Sequence, residues 1–438
     1  MDDVRWKMVV LDDDPTGIQT VHGCLLITQW DEDSVREAFA DSVPFFYILT
    51  NTRAMTRTDA ARVTREAMEM VVKVNADYGY RLIIVSRSDS CLRGHFPLET
   101  DVMREVLTEH GIPVIDKTPF CPAFIEAGRV TIDGIHFMRD GERLVPVSET
   151  EFARDNVFAY HTSVLADYIR EKGADPADYV IVNAQGYDEL RAFAGSVISG
   201  GLSGETAENN RSAESNRSAA CNTDAACNSS AACVVIRSSS SLPKAIAGIA
   251  DQPLLDKRNL KMDEGGEMAA AHRSPVYIVG SHVKKTTEQL DCLLQEEGTC
   301  GLEVDVERIL DDPEALMLET LTTLQQIVDE RLTPVVYTSR REVRLTDADQ
   351  RQLLGQRVSD FLVDIVARLP FTPAYLVGKG GITSHDILTR GLGVRSARVL
   401  GQVVNSVPCV MTSRFPYIIF PGNVGNAESL RDVYRKLR

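Results

Sequence analysis

Two glycine corners and three acid-bearing loops hold the residue types in this chain that could do chemistry. Lys379-Gly380-Gly381-Ile382-Thr383-Ser384-His385-Asp386 follows the apolar run Ala374-Tyr375-Leu376-Val377, read as a buried strand, and precedes Ile387-Leu388-Thr389, read as the start of a helix. A strand that ends in glycines and opens into a helix with Thr and Ser at its mouth aims backbone N–H groups at one point, where the helix dipole also favours negative charge. That chemistry is anion binding, phosphate above all, although glycine turns also serve tight geometry. A second corner, Phe420-Pro421-Gly422-Asn423-Val424-Gly425, follows the apolar strand Tyr417-Ile418-Ile419-Phe420. Two such turns at two strand ends can close on one nucleotide.

The acid-bearing loops lie in the first hundred residues. Asp12-Asp13-Asp14-Pro15-Thr16-Gly17 ends the short strand Lys7 to Leu11, Thr50-Asn51-Thr52-Arg53 ends Phe45 to Leu49, and Ser86 to His95 ends Leu82 to Val85. Helical spacing from about Thr58 to Tyr78 and from Leu98 to Glu109 separates the later strands. Strand, polar loop, helix, repeated, predicts a parallel α/β sheet, and ligands of such sheets sit off the carboxyl ends of the strands. The loops should therefore gather Asp13, Asp14, Asn51, Arg53, Ser88, Asp89, Ser90 and Arg93 in one crevice. Arginine grips a carboxylate with two parallel hydrogen bonds and aspartate accepts from an alcohol, so the set suits a substrate with a carboxylate and hydroxyl groups. In the opposing reading Asp89 and Arg93 merely pair and cap their own loop.

The elements that must position these loops follow from the rest of the chain. With 438 residues, 44% of them hydrophobic, two or three domains with real cores are expected. A formal net charge of −16 argues against general binding to nucleic acid or to an anionic membrane. The nine cysteines are scattered and form no C-x-x-C, so neither a disulfide framework nor a zinc site is indicated, and no metal-ligating set was found. Reduced thiols in the cytoplasm are the expectation. The start of the chain runs into a strand and three aspartates unlike a signal peptide, and no run approaches the ~18 apolar residues of a membrane span.

Between Asp116 and Arg143 the sequence reads as an irregular turn region, and Val180-Ile181-Val182-Asn183 resumes the sheet. His161, in a stretch of helical character, reads as structural. Residues 200–233 hold a six-residue repeat rich in Ser, Ala and Asn, read as a flexible insertion because nothing in it packs. Val234 to Arg237 returns to the core, followed by a serine run, and polar residues from about Asp256 to Arg273 mark a linker. A second α/β unit opens at Val276-Tyr277-Ile278-Val279, whose strand ends in Gly280-Ser281-His282-Val283-Lys284-Lys285-Thr286-Thr287. Helices to Leu294, from about Pro313 to Glu330 and from Asp347 to Arg368 alternate with strands at Leu302 to Val304 and Val335 to Tyr337. Ser281 and the glycine corners should share one crevice, with Lys284 or Lys285 either beside it or solvated at the surface.

Taken in order, Asp13-Asp14-Pro15-Thr16-Gly17, Thr50 to Arg53, Asp89 to Gly94, Gly280-Ser281 with Lys285-Thr286-Thr287, Gly380 to Ser384 and Pro421 to Gly425 resemble the four-carbon acid sugar kinase family. The likeness spans nearly the whole chain apart from the repeat. It implies two α/β domains with largely parallel sheets facing a central cleft: residues 1–255 binding a sugar acid, a linker at 256–273, and 274–438 binding ATP. Phosphate would pass to the terminal hydroxyl of D-threonate, D-erythronate or 3-oxo-tetronate. Ile382, where many members carry Glu, and Ser281-His282-Val283 depart from the family's pattern.

On that footing Asp13 or Asp14 orients and deprotonates the alcohol. Arg53 and Arg93 hold the carboxylate, and Asn51, Asp89 and Ser90 address the hydroxyl groups. Ser281, Gly380, Gly381, Ile382, Thr383, Gly422, Asn423 and Gly425 form the nucleotide cradle. Mg²⁺ arrives on the ATP phosphates, and the protein is free to form a homodimer. Two rival readings use the same residues. Asp12, Asp14 and Thr16 fit the D-x-D-x-T of a haloacid-dehalogenase-type phosphatase, and two α/β lobes also suit a non-catalytic sugar-acid-binding protein.

Overall fold

The computed structural model describes residues 5–202, 232–260, 273–340, 348–422 and 424–438, without the side chains of 348–352. Most of the six-residue repeat, much of the linker and Asn423 lie outside the described residues. The chain divides into two units, one of Met1–Thr20 and Trp30–Ala250, the other of Val21–Gln29 and Asp251–Arg438.

The first unit opens with β1 (Trp6–Asp12), after which the short β2 (Leu25–Ile27) joins the other unit. Its sheet continues with β3 (Phe45–Leu49), β4 (Arg81–Arg87) and β5 (Thr118–Cys121). A separate antiparallel sheet of β6 (Arg129–Ile132), β7 (Ile135–Asp140) and β8 (Arg143–Pro146) follows. Then come β9 (Tyr179–Ile181) and β10 (Val234–Ser238). The main sheet is parallel in the order β3-β1-β4-β10-β5-β9. Its central strands are buried on both faces, as their unbroken apolar runs require.

Helices α1 (Glu32–Ala40), α2 (Arg57–Tyr78), α3 (Leu98–Glu109), α4 (Leu165–Glu171), α5 (Tyr187–Ser199) and α6 (Ser241–Ala247) complete the unit. The longest shows why the helical spacing was readable. Thr56 caps α2 by accepting from the Asp59 N–H, Ala60, Val63, Ala67, Met68 and Val71 form its buried stripe, and Gly79 at φ 65° stops it.

The region 116–143 is not irregular: it contains β5 and a hairpin turning at Asp133 (φ 49°) and Gly134 (φ 75°). The strands β6 to β8 are short and mostly half-buried or exposed, so they lack the apolar signature that marked the others. His161 lies outside the helices, ahead of α4, with its ring 89% exposed beside Glu171.

In the second unit the parallel strands are β11 (Val276–Val279), β12 (Thr299–Val304), β13 (Thr333–Thr338) and β14 (Leu376–Lys379). An antiparallel pair, β15 (Ser396–Val404) and β16 (Val407–Met411), precedes β17 (Pro416–Phe420). Spatially they run β12-β13-β11-β14-β17-β16-β15-β2. Helices α7 (Lys284–Leu294), α8 (Val306–Asp311), α9 (Pro313–Asp329), α10 (Ala348–Ala367), α11 (Gly381–Asp386) and α12 (Ser429–Leu437) pack around them. The helix expected to start at Ile387 begins at Gly381 and turns π-helical from Ile387 to Gly391. Tyr277, Val279, Leu290, Val377, Ile418, Phe420 and Tyr434 lie in one buried cluster of this unit. Among the described residues no helix is long and apolar enough to cross a membrane.

Candidate functional site

Each unit has a point where neighbouring parallel strands send their connections in opposite directions, which is where α/β sheets open a crevice. In the first unit it lies between β1 and β4. The chain leaves β1 toward β3 on one side and leaves β4 toward β5 on the other. The acid-bearing loops stand at these strand ends.

The structure brings Asp13, Asp14, Arg53, Ser88, Asp89 and Arg93 into one network. Arg53 grips Asp13 by two bonds, Nε to Oδ2 at 3.1 Å and Nη2 to Oδ1 at 2.5 Å, and reaches Asp14 Oδ2 at 3.4 Å. The Ser88 hydroxyl donates to Asp13 Oδ2 at 2.5 Å. Asp13 is thus walled in, with its side chain 1% exposed, whereas that of Asp14 is 23% exposed. The Thr16 N–H donates to Asp14 Oδ1 at 2.8 Å and its hydroxyl to the same oxygen. Burial works to raise the Asp14 carboxyl, but Arg53, Arg87 and Thr16 outweigh it and hold it below the ordinary carboxylate range.

Asp89 and Arg93 do pair, Nε to Oδ2 at 2.7 Å, as the loop-capping reading holds. The pair also stays half-open to the crevice, because Arg93 lies over the Phe152 ring and remains 25% exposed. Burial pushes against the Asp89 charge, yet Arg53 and Arg93 hold it down at about 2. Asn51 sits at φ 53° at the end of β3, half-buried. Ser90 is buried, and its carbonyl accepts from His136 Nε2 at 2.7 Å.

Below this layer lies a set that sequence reasoning did not assign. Arg87 donates through Nη1 to Asp12 Oδ1 at 3.0 Å and through Nη2 to the Ser240 hydroxyl at 3.2 Å. Arg237 donates to Glu99 at 2.6 Å and to the Ser86 hydroxyl at 2.7 Å, and Thr52 donates to the other Glu99 oxygen at 2.5 Å. An arginine, Arg237, directly after the apolar run Val234-Val235-Ile236 was the available signal. Gly94, at φ +126°, lies against the upper layer: a Cβ there would stand 2.4 Å from Ser88 Oγ and 3.0 Å from Asp13 Oδ2.

Asp12 is fully buried, and burial pushes its carboxyl up to about 7 against the pull of Arg87. Its Oδ2 has no hydrogen-bond partner among the described residues and faces Gly17, where a Cβ would come within 2.1 Å. A nucleophile must reach its phosphorus, and this carboxylate is sealed, so Asp12 cannot play the first aspartate of a dehalogenase-type phosphatase in this geometry.

The crevice of the second unit falls between β11 and β14 by the same rule. Here Ser281, Gly380, Thr383 and Gly422 converge. A Cβ on Gly280 would lie 2.2 Å from Thr383 Oγ1, one on Gly380 (φ +121°) would lie 3.2 Å from Ser281 Cβ, and one on Gly422 would lie 3.6 Å from Ser281 Oγ. Around Gly381 there is open space. Main chain is thus bared at three strand ends, with Ser281 in the middle. The Thr286 hydroxyl donates to Ser281 Oγ at 3.1 Å and to the Gly422 carbonyl at 3.3 Å, tying α7 to this corner.

The neighbouring residues of these corners distribute as follows. Ile382 turns its side chain outward, 65% exposed, so only its main chain belongs to the corner. Ser384 is buried and donates back to the Gly378 carbonyl at 2.6 Å. Gly425, at φ +83°, makes its own turn against Ser429. Lys284 is 93% exposed on its side chain, the surface charge of the alternative reading. Two cations of this corner were not assigned from sequence. Arg340 donates through Nη1 to the Ser281 carbonyl at 2.6 Å, and Lys379 is fully buried at the end of β14.

Comparisons with known proteins find two domain families along the chain. Residues 8–242 match the model of a sugar-binding N-terminal domain, and residues 276–430 match that of a nucleotide-binding C-terminal domain. A D-erythronate kinase of Heliobacterium modesticaldum is 26% identical over 133 residues, which span 30% of this chain and 27% of that protein. Among solved structures, the Haemophilus influenzae protein HI1011, of family-model DUF1537, superposes with a TM-score of 0.63 at 16% identity over 98% of this chain and all of that one. A Salmonella typhimurium LT2 protein described as a candidate tRNA synthase superposes equally well, at 0.63 and 16% identity over 99% of this chain and 100% of that one. At such identities these structures speak to the fold alone.

Proposed function

We propose that this chain, which belongs to the four-carbon acid sugar kinase family, is an ATP-dependent kinase that phosphorylates the terminal hydroxyl of a four-carbon sugar acid. D-Erythronate, D-threonate and 3-oxo-tetronate are the acceptors in view, and the distant likeness to a D-erythronate kinase favours testing the first of these first. The observation that carries the reading is the bare main-chain corner around Ser281, Gly380 and Gly422, in a domain of nucleotide-binding type.

Phosphoryl transfer asks mainly for positioning and charge neutralisation. In this reading the glycine corner cradles the triphosphate with N–H groups, and Mg²⁺ comes with ATP as part of the substrate. In the sugar-binding domain Asp14 is the group that meets the reacting alcohol. It is the exposed member of the aspartate run, and its lowered carboxyl stays ionised and able to accept a hydrogen bond at neutral pH. Asp13 fixes Arg53 in place. Arg53 and Arg93, through the parts of their guanidinium groups open to the crevice, bind the acid's carboxylate, with Asn51, Asp89 and Ser90 reading its hydroxyl groups.

The reading is tested by following ADP release with Mg²⁺, ATP and each of the three acids in turn. Turnover that depends on one of them supports it. Absence of acid-dependent ADP release across the set, alongside retained tight binding of a tetronate, would favour a binding protein without catalysis.

A further inference from the structure

Lys379 closes β14 and is registered opposite Phe420 of β17, so it sits between the two glycine corners. Its ammonium donates to the Pro421 carbonyl at 2.6 Å and the Gly422 carbonyl at 3.1 Å, and stands 4.2 Å from the centre of the Phe420 ring. The side chain is 0% exposed, and no carboxylate forms an ion pair with it among the described residues. A buried charge normally carries a partner of opposite sign. The charged group that bears on it is another cation, Lys285 at the start of α7, and among the described residues carbonyl dipoles and an aromatic face compensate it. Arg340 repeats the pattern next door: one N–H holds the Ser281 carbonyl, while its Nε and Nη2 are buried without a hydrogen-bond partner among the described residues.

We infer that Lys379 is the positioning residue that locks the two glycine corners into a single polyphosphate site, and that the bound polyphosphate supplies the counter-charge its buried ammonium lacks. The inference deepens the nucleotide reading and rests on it. Two consequences follow. Without the ammonium, the two hydrogen bonds that tie the Pro421 and Gly422 carbonyls to the end of β14 are lost, so affinity for ATP falls while the acid site, built in the other unit, is untouched. The second consequence is proton linkage. Burial, then Lys285, lowers the free ammonium to about 7, far below an ordinary lysine. Bringing phosphate charge beside it raises that value again, so ATP binding draws in a proton at pH 8, where the free site is mostly neutral, and none at pH 6, where it is already charged.

The test is calorimetry of wild type, Lys379→Met and Lys379→Arg with Mg-ATP and with inorganic triphosphate, at pH 6 and pH 8, in buffers of differing ionisation enthalpy. Wild type should take up a proton at pH 8 and not at pH 6. Lys379→Met should lose about tenfold or more in affinity for both ligands and show no uptake, and Lys379→Arg should recover part of the affinity. In turnover, the KM for ATP should rise in Lys379→Met while that for the acid stays put. Wild-type affinity and unchanged proton count in Lys379→Met would overturn the inference. Should that variant fail to fold, an absence of proton uptake by wild type at pH 8 overturns it equally. Failure of wild type to bind ATP at all would instead bring down the nucleotide reading beneath it.

Discussion

Three consecutive aspartates end up in three different electrostatic situations, and that separation distinguishes the roles proposed for them. Asp12 is sealed and pushed up by burial, Asp13 is clamped by Arg53 and Ser88, and Asp14 faces outward with its charge secured. Replacing Asp14 with Asn keeps the shape and removes the acceptor charge, so kcat should fall by about 10² or more with a smaller change in the KM for the acid. Steady-state kinetics checks this, and turnover within about twofold of wild type would remove Asp14 from the role. Asp12 makes a pH prediction. Its folded carboxyl lies at about 7, above its ordinary value, so the native state holds a proton that the unfolded chain releases. The stability tied to that proton is fully present below the unfolded value and is lost as pH rises through about 7. Urea unfolding of wild type against Asp12→Asn at pH 5 and pH 8 should show wild type losing ground at the higher pH, and a constant difference would contradict the assignment. The sequence displayed the loops holding these acids, because Pro15 and Gly17 must turn the chain after β1. It could not rank the acids, since rank comes from Arg53, Arg87 and Ser88, which lie tens of residues away.

At the scale of elements, the long helices and buried parallel strands were legible because each carries its own signal: a cap, a stripe, an apolar run. Helix α3 matches its expected limits for that reason. The hairpins β6-β7 and β15-β16 were not legible, since their residues alternate between burial and half-exposure and lack a strong period-2 contrast of residue type. The two crevices also depend on elements, and glycines mark where main chain must pass close. Ala at Gly94 would press its Cβ on Ser88 and Asp13 at a φ that side chains rarely adopt, and Ala at Gly380 would do the same to Ser281 and Thr383. Gly94→Ala should therefore weaken binding of the acid and leave ATP binding near wild type, and Gly380→Ala should do the reverse, each by about tenfold or more. Isothermal titration of each variant with each ligand separates the effects; a variant that loses both ligands equally would mean that the crevices are not independent sites.

For the molecule as a whole, the division into units is not the division of the sequence into halves. Val21–Gln29, just after the aspartate loop, belongs to the second unit, where β2 pairs with β15 through Ile27 and Ser396. A three-residue strand whose partner lies some 370 positions away has no local signature, so this pairing was not legible in the sequence. What the sequence did carry was the order of its motifs, and that order places an acid-and-arginine crevice in one unit and a bare glycine corner in the other.

Transfer of phosphate from ATP to the oxygen on the terminal carbon of a four-carbon acid can be followed by ³¹P NMR of the reaction mixture. With Mg-ATP and D-erythronate, D-threonate or 3-oxo-tetronate, one mixture should gain a phosphomonoester signal split into a triplet by the two protons of a terminal CH₂, in step with ADP. A doublet would put the phosphate on an internal hydroxyl, and growth of inorganic phosphate alone, or no new signal with any of the three acids, would contradict the account.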